Sequence, residues 1–67
     1  MTFYAIKEAI PEEPIFLIVE ENVACRSVFA ERLRAAGFAV IEVANSDDAE
    51  LVVKNTRVDA LVHLLLR

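Results

Sequence analysis

The sequence has a single cysteine, so Cys25 has no partner within the chain and an internal disulfide is excluded. A lone thiol suits a reducing compartment, which makes the cytoplasm the expected location. Cys25 itself reads as a small buried hydrophobe. One cysteine and one histidine cannot supply the four ligands of a structural zinc site. Basic residues are also few. Seven Lys and Arg are scattered among eleven Asp and Glu, for a net charge of −4. Without a basic stripe to neutralise phosphates, no nucleic-acid partner is expected. No apolar run approaches the roughly 18 residues of a membrane span, so no membrane partner is expected. The opening MTFYAIKEAI lacks the basic and continuously apolar regions of a signal peptide.

Apolar residues are abundant, at 57% of the chain. A domain of this length buries only about 60% of the surface its unfolded chain exposes, so a monomer is marginal. With disulfides and zinc excluded, a partner chain is the remaining remedy. Apolar surface beyond what one small core can cover points to a homodimer.

The only two prolines lie early, at Pro11 and Pro14, with Glu12 and Glu13 between them. They break the chain there. Upstream, Phe3, Ile6 and Ile10 have helical spacing and Thr2 could cap a short helix. Residues 1–14 are therefore an N-terminal arm, either frayed or laid as a helix over apolar surface. Residues 15–67 form the domain.

Ile15–Val19 (IFLIV) is continuously apolar, which suits a strand buried on both faces of a parallel sheet. Glu20 and Glu21 end it, and Asn22 is a good helix N-cap. The helix that follows places Cys25, Val28, Phe29, Leu33 and Ala36 on one stripe, with Arg26, Glu31, Arg32 and Arg34 mostly off it. The only glycine, Gly37, suits the left-handed position that ends a helix. Phe38–Ala44 is a second strand. Asn45 or Ser46 caps a second helix, with Asp47 and Asp48 at its positive end. That helix runs to about Asn55 and should bury Ala49, Val52 and Val53. Val58 to about Leu65 is a third strand. The order β-α-β-α-β gives an α/β fold, with helices where parallel strands need crossovers.

From Ile15 onward the chain resembles the receiver domain of two-component response regulators. IFLIVEEN is similar to the family's first strand and acidic pair. RSVFAERLRAAGFAVIEVANSDDAE is similar to the first helix, its terminal glycine, the second strand and the entry to the second helix. VDALVHLLLR is similar to the third strand. The resemblance implies a parallel sheet of order 2-1-3, the first half of a flavodoxin-like fold.

Two departures accompany it. At the position where the family carries its phosphoacceptor aspartate stands Leu64, which has no nucleophilic oxygen. The family's later strands, with their hydroxyl residue and lysine, have no counterpart, so the chain is expected to be a truncated receiver. Glu20 and Glu21 stand where the family holds Mg²⁺. Two readings apply: a residual divalent-cation site, or a solvated acidic loop serving the helix N-terminus. No cofactor is expected, Mg²⁺ being the one considered. His63 is a candidate pH-responsive group or metal ligand beside Glu20 and Glu21, or an ordinary interface residue.

Right-handed crossovers in a 2-1-3 sheet put the two helices on opposite faces. A helix about 10 Å wide covers roughly two strands spaced ~4.8 Å apart, which leaves the third strand as a free apolar edge. Leu61, His63 and Leu65 share one face of it; Ala60, Val62 and Leu64 share the other. The expected dimer interface is therefore Ala60, Leu61, Val62, His63, Leu64 and Leu65. Either the third strands pair antiparallel, or the apolar faces pack with the arms folded across them.

The resemblance implies a non-catalytic, phosphorylation-incompetent receiver-like protein acting by protein–protein interaction. A histidine kinase's phosphotransfer helix is one candidate partner, met through Ala24, Ser27 and Glu31 of the first helix. Alternatives are a structural homodimer or a gene remnant without a signalling role. Less favoured is a metal-binding or phosphoacceptor protein using Glu20, Glu21 and His63.

Overall fold

The computed structural model describes residues 13–63. Residues 1–12 of the expected arm lie outside that range, as do Leu64 and Leu65 of the expected third strand. Five elements follow in order: β1 (Ile15–Val19), α1 (Val23–Ala35), β2 (Ala39–Val43), α2 (Ser46–Asn55) and β3 (Ala60–His63). The strands form one parallel sheet in the order β2-β1-β3, which is the first half of the flavodoxin-like order.

Strand β1 is central, and its unbroken apolar run is explained by that position. Leu17 and Ile18 point to opposite faces and both are 0% exposed. In register, Leu17 stands beside Ile41 and Leu61, while Ile18 stands beside Glu42 and Val62. The chain is pinned at the start of β1 by Asp59. Its backbone N–H donates to the Ile15 carbonyl at 2.8 Å, and its carboxylate accepts from the Ile15 N–H at 2.8 Å.

The helix ends follow local chemistry. Asn22 has an extended backbone, and its side chain accepts from the Cys25 N–H. Asn45, rather than Ser46, caps α2 in the same way through the Asp48 N–H. Helix α1 stops at Gly37, whose φ of +99° is readily adopted only by glycine. There Phe38 N–H donates to the Leu33 carbonyl and Gly37 N–H to the Arg34 carbonyl, the paired bonds of a Schellman motif.

The helices occupy opposite faces. Ala49 of α2 packs on Leu17 and Val19, with Ile41, Val43, Val52 and Val58 around them. Helix α1 covers the other face, where Phe16 and Phe38 bring their ring centroids to 4.7 Å. Both helices sit over β1 and β2, and among the described residues neither reaches β3.

Two expectations about burial are corrected. In α1 the residue that meets the sheet is Ala30, at 0% exposure, while Val28 is 54% and Phe29 36% exposed. Ala36 is exposed, and Cys25 and Leu33 are only half-buried. The helix is turned from its expected stripe because Glu42 projects from β2 beneath it. Arg26 turns inward to meet that carboxylate, and Arg34 reaches it from the solvent rim. In α2, Ala49 and Val52 face the core as expected, but Val53 is 52% exposed, because among the described residues no helix lies over β3.

Candidate functional site

Parallel strands end at one rim, and crossovers leave β1 in opposite directions toward β2 and β3. The crevice at that switch point is the usual ligand position in such sheets. Here Val19, Glu20, Glu21, Ala44, Asn45, Ser46 and His63 line a cavity of about 170 Å³. The fold thus brings Glu20, Glu21 and His63 together at one cavity, as the sequence suggested.

Each of its polar groups has an identifiable state. Glu20 is 8% exposed. Its carboxylate accepts from the Asn22 N–H at 2.8 Å, its carbonyl accepts from Arg26 Nη1 at 2.7 Å, and its own N–H donates to Val43. Glu20 is therefore a brace for the turn that starts α1. Glu21 and His63 are exposed. Asn45 is committed to capping α2, and Asp47 and Asp48 already occupy its positive end.

This arrangement does not fit Mg²⁺, which needs near-octahedral oxygen ligands at about 2.0–2.1 Å. One Glu20 oxygen is held by a backbone amide. Among the described residues, no three His, Cys, Asp or Glu side chains converge for a metal. Among the described residues, no lysine or arginine lines the cavity. Leu64, at the expected phosphoacceptor position, lies outside the described residues.

A second feature is a shallow groove between α2 and β3. Val19, Ala49, Val53 and Leu61 form its apolar floor and walls, with Glu50, Lys54 and His63 at its margin. Along β3, Ala60 and Val62 are half-buried, Leu61 is 54% exposed and His63 is exposed.

The polar cluster under α1 went unrecognised in the sequence. Arg34 Nη1 meets Glu42 at 3.0 Å and Arg26 Nε approaches it at 3.6 Å. The Arg26 Nε is buried and makes no hydrogen bond. Two signals were available: Glu42 is the one charge within the β2 run, and Arg26 and Arg34 are eight residues apart, on one helical face.

No helix among the described residues is long and apolar enough to cross a membrane. No protein-family model, curated protein or solved structure matches the chain.

Proposed function

We propose that the chain is a non-catalytic receiver-like protein of two-component phosphorelay signalling, acting by protein–protein contact through the outer side of α1. The observation that carries this reading is apolar exposure on that helix. Val28 is 54% exposed, with Ala24 and Glu31 also in solvent. Such a surface suits packing against a partner helix, and kinase photransfer modules of helical build are the class to which the receiver resemblance points. Ser27, one of three contact residues suggested by the sequence, is half-buried, and Val28 takes its place. The absence of reactive oxygen at Leu64 and the commitment of Glu20 to a turn support a binding role over phosphoryl transfer.

The test is titration of the protein against a panel of histidine-kinase phosphotransfer domains by calorimetry. Saturable binding that Val28→Glu abolishes, with the circular dichroism unchanged, is the expected result. Binding by none of the panel would remove the signalling reading. Intact mass after incubation with acetyl phosphate and Mg²⁺ should be unchanged; a phosphoryl adduct would overturn the non-catalytic reading.

A second reading, a structural homodimer without a signalling role, is favoured by β3, which no helix among the described residues covers.

A further inference from the structure

We draw no further inference here: the strongest candidate, the apolar groove between α2 and β3 lined by Val19, Ala49, Val53 and Leu61, is an unpartnered face, and nothing among the described residues shows what covers it.

Discussion

Glu42 offers the sharpest test of how α1 is held to the sheet. Its carboxylate is met by Arg34 at 3.0 Å and Arg26 at 3.6 Å, with the Glu42 side chain 25% and the Arg26 side chain 17% exposed. Breaking a fully buried pair by deleting one partner costs about 3–5 kcal/mol, and an exposed pair contributes at most about 1 kcal/mol. This cluster lies between those limits, so Glu42→Ala should destabilise the fold by about 2 kcal/mol. The loss has a specific source: Arg26 keeps its bond to the Glu20 carbonyl but is left charged and half-buried without a counter-ion. With a urea m-value of about 1 kcal/mol/M for a chain this small, the unfolding midpoint should fall by about 2 M. The double variant Arg26→Met with Glu42→Leu removes both charges and fills the space with apolar atoms. It should recover most of that loss, since apolar replacement of a buried pair is often neutral or stabilising. Urea unfolding followed by circular dichroism, completed as a double-mutant cycle, measures both. A Glu42→Ala midpoint within about 0.5 M of wild type would refute the reasoning. The cluster would then be solvated, and the turn of α1 would need another cause.

Three further outcomes are expected. Leu17→Ala, at the centre of the core and fully buried, should cost about 3 kcal/mol by cavity formation and leave little folded protein; calorimetric unfolding would reveal it. Gly37→Ala should cost about 1 kcal/mol, entirely from the left-handed backbone, because an added Cβ meets nothing within 4 Å; a thermal melt unchanged from wild type would contradict this. Titration with millimolar Mg²⁺ should give no saturable heat, and a saturable isotherm lost in Glu21→Gln would show that the rim is a cation site after all.

Local chemistry in the sequence determined most of the fold. An unbroken IFLIV implied a strand with two buried faces, and both Leu17 and Ile18 are buried. Asn22, Gly37 and the Asn45–Asp48 segment set helix ends through bonds to residues within a few positions, so their meaning does not depend on distant parts of the chain. The alternation of strand and helix, with crossovers of one hand, carried that local information to the β2-β1-β3 sheet and to the clustering of Glu20, Glu21 and His63.

Tertiary structure alone decided which side of α1 faces inward. Counting apolar residues favoured Val28 and Phe29, but the residues set against the sheet are Arg26 and Ala30, with the exposed Arg34 reaching Glu42 from the rim. A helix turns toward whatever its neighbour presents, and β2 presents a carboxylate sixteen residues along the chain from Arg26. The same holds for Glu20, which reads as a free acidic ligand in sequence but is held by the Asn22 amide once the turn closes. Periodicity and capping are properties of neighbouring residues. The partner that satisfies a buried charge is a property of two elements packed together, and it exists only once the chain has folded.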